Sequence, residues 1–231
     1  MSVPVVVLAA GVGSRLRPLT ERFAKPLLPI DGRPVLALLL RELAEAGCAQ
    51  VTLVTGYLAE QVERFAGDGS AFGLSVSTAR QAGPHGSADA VVVARATPPY
   101  LVLGADTVFE PGEIGRFLRA FESSDAAGAV AVRRCANGDP GRNGVGVSEG
   151  LVERVHAMGS PFAGAPLWAV GAAIAAVIET LPGERPFELA TAFQQAIDAG
   201  ERVAAIEIQP PRDLTAPIDL LLENFPYLSS L

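Results

Sequence analysis

The sequence predicts an α/β fold whose open, mostly parallel sheet is flanked by helices. The first observation is the apolar, β-branched run from Val3 to Ala9, which is typical of a parallel strand buried on both faces. The second is the alternation of such runs with helical stretches through the first half of the chain. A length of 231 residues suits one domain with a substantial core, so we predict a single Rossmann-like domain over residues 1–231.

The first half of the chain alternates strand and helix after the opening strand. A helix is predicted from Pro34 to Gly47, because proline favours the first helical position and glycine follows helix ends. Ser87 has the short polar side chain of a helix cap, so we expect a helix to begin there. Asp106 comes just past a strand, at the edge where open parallel sheets bind ligands. The other predicted elements are a helix at 58–65 and strands at 50–55, 74–79, 101–103 and 127–133, with a helix at 111–122 before the last of them.

The pattern loosens after residue 134. Glycines and prolines separate two short alternating stretches, Val145–Ser148 and Leu151–Val155, which predict a small antiparallel substrate-rim subregion. Regular elements then return, with strands at 167–170 and 201–208 and helices at 172–181, 187–199 and 217–225.

Composition excludes several classes of protein. The net charge of −7 without a broad basic face argues against a nucleic-acid partner, whereas residues 1–34 hold five cationic and two acidic side chains and favour a bound anion. No run is long enough to span a membrane, and the apolar N-terminus lacks the positive flank of a signal peptide. Cys48 and Cys135 have no metal-site spacing and make no disulfide framework. We therefore expect a cytoplasmic protein with no membrane partner.

A glycine loop with cations follows the first strand. Gly11 and Gly13 let the backbone approach a ligand, so that successive N–H groups converge on an anion. The dinucleotide fingerprint needs a third glycine where Leu16 stands, and the Walker loop needs a lysine at a helix start, whereas Lys25 lies far downstream. Arg15 within the loop and Lys25, the only lysine of the chain, are suited to grip a polyphosphate from two sides.

The opening stretch resembles the signature of one family. The sugar-1-phosphate nucleotidylyltransferases open with Leu-Ala-Ala-Gly-x-Gly-x-Arg-Leu-x-Pro-Leu-Thr and continue to Pro-Lys-Pro-Leu-Leu-Pro-Ile. The stretch Leu8–Ile30 resembles this signature, with Ala24 in place of the usual proline. Four further stretches look like the family in the same order, at 54–61, 81–88, 101–109 and 213–224. The resemblance implies that a sugar 1-phosphate attacks the α-phosphorus of a nucleoside triphosphate and releases pyrophosphate.

The resemblance also implies roles for individual residues. Arg15 and Lys25 would be catalytic, because they would bind the triphosphate and stabilise charge in the transition state. Mg²⁺ would be held by Asp106 and Asp213, although the Leu-Thr-Ala-Pro that follows Asp213 departs from the usual Gly-Thr-Pro. The other implied contacts are Leu8, Ala10, Gly11, Gly13, Gln81, Gly86 and Ser87 for the nucleotide, and Gly144, Gly171 and Glu188 for the sugar phosphate.

The implied substrates are defined more closely on the nucleotide side than on the sugar side. Gln81 resembles the family glutamine that hydrogen-bonds a pyrimidine base, which favours UTP or dTTP. The family often has Glu-Lys-Pro before its late strand, whereas residues 155–161 read Val-His-Ala-Met-Gly-Ser-Pro, so the sugar stays open among glucose 1-phosphate and related hexose or amino-sugar phosphates. By position, residues 1–134 would bind mainly the nucleotide, and residues 135–231 would bind mainly the sugar and supply the second metal ligand.

Two other interpretations stay open from the sequence. One is a cytidylyltransferase that acts on a non-sugar phosphate. The other is a non-catalytic regulatory subunit that binds nucleotide sugars, which the missing Glu-Lys-Pro favours and the intact charged residues disfavour. The oligomeric state is not predicted.

Overall fold

The computed structural model describes residues 3–135, 144–180, 186–225 and 227. Its strands are β1 (Val5–Ala9), β2 (Pro29–Ile30), β3 (Arg33–Pro34), β4 (Gln50–Thr55), β5 (Ser75–Arg80), β6 (Tyr100–Gly104), β7 (Thr107–Val108), β8 (Gly128–Arg134), β9 (Gly146–Ser148), β10 (Leu151–Arg154), β11 (Phe162–Val170), β12 (Val203–Glu207) and β13 (Arg212–Asp213). Its α-helices are α1 (Val35–Glu45), α2 (Ala59–Ala66), α3 (Ser87–Ala94), α4 (Glu113–Glu122), α5 (Ala172–Glu179), α6 (Leu189–Asp198) and α7 (Pro217–Asn224).

A nine-stranded sheet organises the described residues, in the order β5-β4-β1-β6-β11-β8-β12-β10-β9. The strands β5, β4, β1 and β6 are parallel to one another, and so are β8 and β12. Only β11 and β10 run in the direction opposite to the other seven strands of this sheet. The predicted α/β class with an open, mostly parallel sheet is therefore confirmed.

The carboxyl ends of the parallel strands form one edge of the sheet. Strands β1, β4 and β5 end in register at Ala9, Thr55 and Arg80, and β6 ends beside β1 at Gly104. Strand β8 ends at Arg134 on the same edge, two strands beyond β6. The loops that leave these ends are neighbours in space, which is the arrangement that places a ligand site in α/β sheets.

Two apolar layers cover the two faces of the sheet. Along β1, Val5 and Val7 contribute to one layer and Val6 to the other, as the alternation of a strand requires. Helices α1, α2 and α4 complete the first layer, and α3, α5 and α6 complete the second with side chains such as Phe193. Burial on both faces explains why β1 reads as a continuous apolar run.

Strand pairing in the second half differs in part from the prediction. The strand predicted at 167–170 is the end of β11, which begins at Phe162 and lies antiparallel between β6 and β8. The predicted antiparallel strands are present as β9 and β10, and they extend the main sheet through β12. Strand order depends on contacts between distant segments, so local periodicity does not encode it.

Both predicted halves contribute strands to this sheet, since β11 and β12 lie on either side of β8. The functional division at residue 134 stays a prediction.

Among the helices of the described ranges, none has the length and apolar character needed to cross a bilayer.

Candidate active site

The loop after β1 folds tightly around Gly13. Its φ of 64° lies in the left-handed region, which glycine adopts without strain. A Cβ atom on Gly13 would lie 3.0 Å from Thr20 Cγ2 and 3.2 Å from Lys25 Cβ, so the position also needs glycine for space. The buried Thr20 hydroxyl donates to the Gly13 carbonyl at 2.9 Å. The glycine loop and Lys25 therefore form one packed unit.

Lys25 contacts a carboxylate that follows the neighbouring strand. Its Nζ donates a hydrogen bond to Asp106 Oδ2, and the side chains of Lys25 and Asp106 are 14% and 35% exposed. Asp106 comes two residues after the end of β6, at the edge where the loops converge. The ammonium group therefore neutralises this carboxylate within the site.

Gln61 of α2 holds the backbone immediately before Lys25. Its Oε1 accepts from the Ala24 N–H at 2.9 Å, and its Nε2 donates to the Arg22 carbonyl at 2.8 Å. One carboxamide thus fixes the peptide groups on both sides of Phe23. The sequence placed Gln61 in a family-like stretch but gave it no role, because a contact across 37 positions has no local signature.

A two-stranded ribbon brings the second predicted metal ligand to the same place. Strands β7 and β13 pair antiparallel, with Asp213 opposite Thr107, the residue after Asp106. Arg212 donates to both carboxylate oxygens of Asp31, at 3.1 Å and 2.5 Å. These hydrogen bonds hold the pKa of Asp31 below its usual value. The ribbon is thereby anchored to the turn between β2 and β3.

A cavity of about 430 Å³ opens at this edge of the sheet. Its charged lining is Arg15, Arg133, Asp106 and Asp213, and its apolar lining includes Val145, Val155, Pro166 and Trp168. The volume is that of a small-molecule site. In the described ranges, no cluster of three or more His, Cys, Asp or Glu side chains is placed to hold a metal ion. Arg133 was not predicted from the sequence, because a single arginine within a strand belongs to no motif.

Gln81, which follows β5, is buried and held by its amide nitrogen. Its Nε2 donates to the Gly86 carbonyl and to Asp89 Oδ2, each at 2.9 Å. Its backbone N–H donates to the Thr55 carbonyl at 2.8 Å, which extends the pairing of β5 with β4. Within the described part of the chain its Oε1 has no hydrogen-bond donor, so the side chain presents an acceptor.

Ser87 and Glu188, which were predicted to contact different substrates, bind each other. Ser87 Oγ donates to Glu188 Oε2 at 2.5 Å and accepts from the Leu189 N–H, at the start of α6, at 2.8 Å. The N-cap of α3 is Gly86 and not Ser87, so the predicted serine cap is wrong. A Cβ on Gly86 would lie 2.2 Å from the Phe187 carbonyl oxygen, so the two segments are in close backbone contact.

The two glycines predicted on the sugar side lie at opposite edges of the sheet. Gly144 forms a bridge with Ala163, near the start of β11 and thus at the cavity edge. Gly171 follows the other end of β11, where Val170 pairs with Tyr100 at the start of β6. The structure does not bring Gly171 to the cavity, because β11 runs antiparallel to its neighbours, and we leave it out of the site proposed below.

The remaining predicted nucleotide contacts surround the end of β1. The Leu8 carbonyl accepts from the Ala105 N–H at 3.0 Å, and the Ala10 carbonyl accepts from the Tyr57 N–H at 3.3 Å. A Cβ on Gly11 would meet no atom within 4 Å, so open space lies beside its backbone. These bonds tie the glycine loop to the connections that follow β4 and β6.

Comparison with known proteins identifies the family. The profile of the Nucleotidyl transferase family matches residues 4–157. A glucose-1-phosphate thymidylyltransferase of Streptomyces griseus is 33% identical over 218 residues, which cover 88% of this chain and 59% of that protein. A CMP-5'-(3-aminopropyl)phosphonate synthase of Streptomyces rubellomurinus is 39% identical over 141 residues, which cover 58% of this chain and 22% of that protein. The chain thus spans about three fifths or less of the length of these relatives.

The fold is shared with solved structures. A crystal structure from Bacillus anthracis, described as a candidate glucose-1-phosphate thymidylyltransferase, matches with a TM-score of 0.86 and 19% identity. The match covers 96% of this chain and 94% of that one, and it bears on the fold alone. Together with the signature at Leu8–Ile30, the family profile and the relatives confirm the predicted resemblance to the sugar-1-phosphate nucleotidylyltransferases, and the chain belongs to the nucleotidyl transferase family.

Proposed function

We propose that the chain transfers a nucleotidyl group from UTP or dTTP to a sugar 1-phosphate, with glucose 1-phosphate as the first candidate, and releases pyrophosphate. The observation that carries the proposal is the ion pair of Lys25 with Asp106 beside the glycine loop. Asp213 lies opposite Thr107, the residue after Asp106, and both carboxylates line a cavity that Arg15 also lines. We also propose a cytoplasmic location, which suits the free thiols of Cys48 and Cys135.

The chemistry needs positioning and charge stabilisation more than a nucleophilic side chain. A phosphate oxygen of the sugar 1-phosphate forms a bond to the α-phosphorus, and the bond from that phosphorus to the bridging oxygen of the β-phosphate breaks. Pyrophosphate leaves with the bonding electron pair. Arg15 and Lys25 are suited to bind the triphosphate, because fixed cations stabilise charge on the non-bridging oxygens and on the leaving group.

The donor set at the cavity fits a Mg²⁺ ion. Asp106 and Asp213 line the same cavity, and Mg²⁺ is commonly bound through one or two carboxylates together with substrate phosphates. When bound, the ion neutralises charge on the phosphate oxygens that approach each other. Lys25 holds Asp106 in place in the protein alone, which supports an ordered carboxylate at this position.

The fixed amide of Gln81 supports a pyrimidine base. Because its Nε2 is engaged by Gly86 and Asp89, the atom left for a ligand is the acceptor Oε1. Uracil and thymine carry an N–H donor at ring position 3, which suits such an acceptor. Cytosine has no hydrogen at that position and would have to use its exocyclic amino group.

A second candidate function is a cytidylyltransferase for a non-sugar phosphate or phosphonate. It is favoured by the 39% identity to the CMP-5'-(3-aminopropyl)phosphonate synthase over 141 residues. The identity to the thymidylyltransferase is 33%, over 218 residues. The glycine loop, the cations and the carboxylates serve this reaction equally well. The two candidates therefore differ in the base and in the acceptor, and not in the chemistry at phosphorus.

Pyrophosphate release across pairs of substrates tests both candidates. ATP, CTP, GTP, UTP and dTTP are each combined with glucose 1-phosphate, N-acetylglucosamine 1-phosphate and (3-aminopropyl)phosphonate, with Mg²⁺ or with EDTA. We expect release with UTP or dTTP and a sugar 1-phosphate, and none with EDTA. Release only with CTP and the phosphonate would establish the second candidate. Binding of a nucleotide sugar without release from any pair would indicate a non-catalytic subunit.

The variant Asp106→Asn tests the carboxylate directly. It keeps the shape of the side chain but removes the charge, so we expect loss of pyrophosphate release with an unchanged far-UV spectrum. The matched control is Asp125→Asn, since Asp125 is exposed and lies outside the cavity. Turnover by Asp106→Asn at the wild-type rate would contradict the metal role.

A further inference from the structure

Arg133 is the cation of the cavity to which the proposed function gives no role. It lies on β8, and the sheet order places β11 between β8 and β6. Adjacent strands are about 4.8 Å apart, so Arg133 lies on the order of 10 Å along the edge from the end of β6. The glycine loop with Lys25 leaves β1, on the other side of β6. The cations therefore flank Asp106 from two sides.

The guanidinium of Arg133 has no counter-ion within the part of the chain that the structure describes. The side chain is half-buried, and its Nη1 donates to Cys135 Sγ at 3.3 Å. No described carboxylate forms an ion pair with it, although Asp106 and Asp213 line the same cavity. Arginine stays charged at any ordinary pH, so a half-buried guanidinium that no described carboxylate pairs with favours an anion beside it.

Arg134, the next residue of β8, differs from Arg133 because it has a counter-ion within the protein. Arg134 points to the opposite face of the sheet, because successive strand residues alternate. Its Nε donates to Glu207 Oε1 at 2.9 Å, and its guanidinium carbon lies 4.9 Å from the centre of the Phe162 ring. Arg134 therefore forms a structural ion pair with Glu207, whereas Arg133 lines the cavity.

We propose that Arg133 binds the phosphate group of the sugar 1-phosphate, an inference that rests on the proposed function. The reaction brings two anionic phosphates together, so the acceptor phosphate needs a cation of its own as well as those that hold the triphosphate. Lys25 contacts Asp106, and the chain has no second lysine. A guanidinium offers a pair of parallel N–H donors to phosphate oxygens. Val155 and Trp168, which line the same cavity, supply an apolar wall for the sugar ring.

Steady-state kinetics of Arg133→Gln tests the assignment. Glucose 1-phosphate and UTP are varied separately, so that each substrate has its own KM. We expect the KM for glucose 1-phosphate to rise about 10- to 100-fold, as loss of a hydrogen bond to a charged group predicts, and the KM for UTP to stay within about twofold. Arg133→Lys keeps the charge and should recover part of the loss. Arg134→Gln is the matched control and should leave both constants unchanged.

The outcomes separate this inference from the proposed function. An unchanged KM for glucose 1-phosphate in folded Arg133→Gln, or an equal rise in Arg134→Gln, overturns the assignment. If the wild-type protein releases no pyrophosphate from any pair, the proposed function fails, and calorimetric titration with glucose 1-phosphate decides the role of Arg133. Binding to the wild type that is lost in Arg133→Gln and kept in Arg134→Gln supports it. Equal or absent binding in all three overturns it.

Discussion

Replacement of Lys25 gives the sharpest test of the site, because it should lower kcat strongly and the free energy of unfolding only slightly. Lys25→Met keeps the apolar stem and removes the charge. The ion pair with Asp106 is partly exposed, so its loss should lower the free energy of unfolding by about 0–1 kcal/mol. Loss of one donor that stabilises a transition state lowers kcat about 10²- to 10³-fold, or about 3–4 kcal/mol.

The packing of the glycine loop extends this prediction to Lys25→Arg. The stem of Lys25 packs beside Gly13, where an added Cβ would lie 3.2 Å and 3.4 Å from the Cβ and Cδ atoms of the lysine. The longer, planar guanidinium therefore cannot bring its charge to the same point, although the net charge is conserved. We expect kcat to fall about 10²-fold. Arg41→Met, on the exposed side of α1, is the control.

Two measurements check the Lys25 prediction. For each variant, pyrophosphate release gives kcat and thermal melting gives the change in stability. Mass spectrometry after treatment with an amine-reactive reagent follows Lys25 itself, because the α-amino group is the only other amine of the chain. We expect nucleotide with Mg²⁺ to protect Lys25 and not the α-amino group. Normal turnover of Lys25→Arg, together with labelling that ignores nucleotide, would refute the reasoning.

Three further predictions concern residues around the site. Gln61→Ala removes two hydrogen bonds to the loop before Lys25, so we expect kcat to fall about tenfold and amine labelling of Lys25 to speed up, whereas a change in KM alone would contradict a positioning role. Gln81→Glu sets a carboxylate against Asp89, which raises the pKa of the new glutamate. Stability should therefore be lost as pH rises through that pKa. UTP use should weaken because the carboxylate cannot donate to Gly86 and Asp89, so its acceptor oxygen loses its fixed position, as melting curves from pH 4 to 8 and KM measurements will show. Burial is the main reason that the pKa of Glu42 is raised from 4.5, so the stability of the wild type should decline as pH rises through that pKa. Compared with the wild type, Glu42→Gln should have a higher melting temperature at pH 7 and the same melting temperature below pH 4.5. Parallel melting profiles of the two proteins would contradict this prediction.

The sequence predicted the parts of the site that depend on neighbouring residues. The strand, the turn at Gly13 and the cations that follow all lie within one stretch, so local rules suffice for them. Asp106 was predicted by its place just past a strand, which needs only the general rule for open α/β sheets. The α/β class followed from the same alternation of elements.

The features that sequence reasoning missed depend on which distant segments meet. Gly171 was expected at the sugar site, but the antiparallel direction of β11 carries it to the far edge. The bond between Ser87 and Glu188 joins residues 101 positions apart and engages two side chains that were assigned to substrates. Arg133 draws its proposed role from a cavity that distant strands form and from the lack of an ion pair with any described carboxylate, neither of which a motif records.

The pairing of residues that are far apart along the chain also governs when the site can form. Asp31 and Arg212 are 181 positions apart, and Lys25 and Asp106 are 81 apart. Contacts of such separation form slowly, because a long loop must close before any contact rewards it. During synthesis the glycine loop leaves the ribosome before the segment around Asp213. A nascent chain therefore has its glycine loop before β13 can pair with β7, and under the proposed function nucleotide binding with metal should become possible only after Asp213 has left the ribosome.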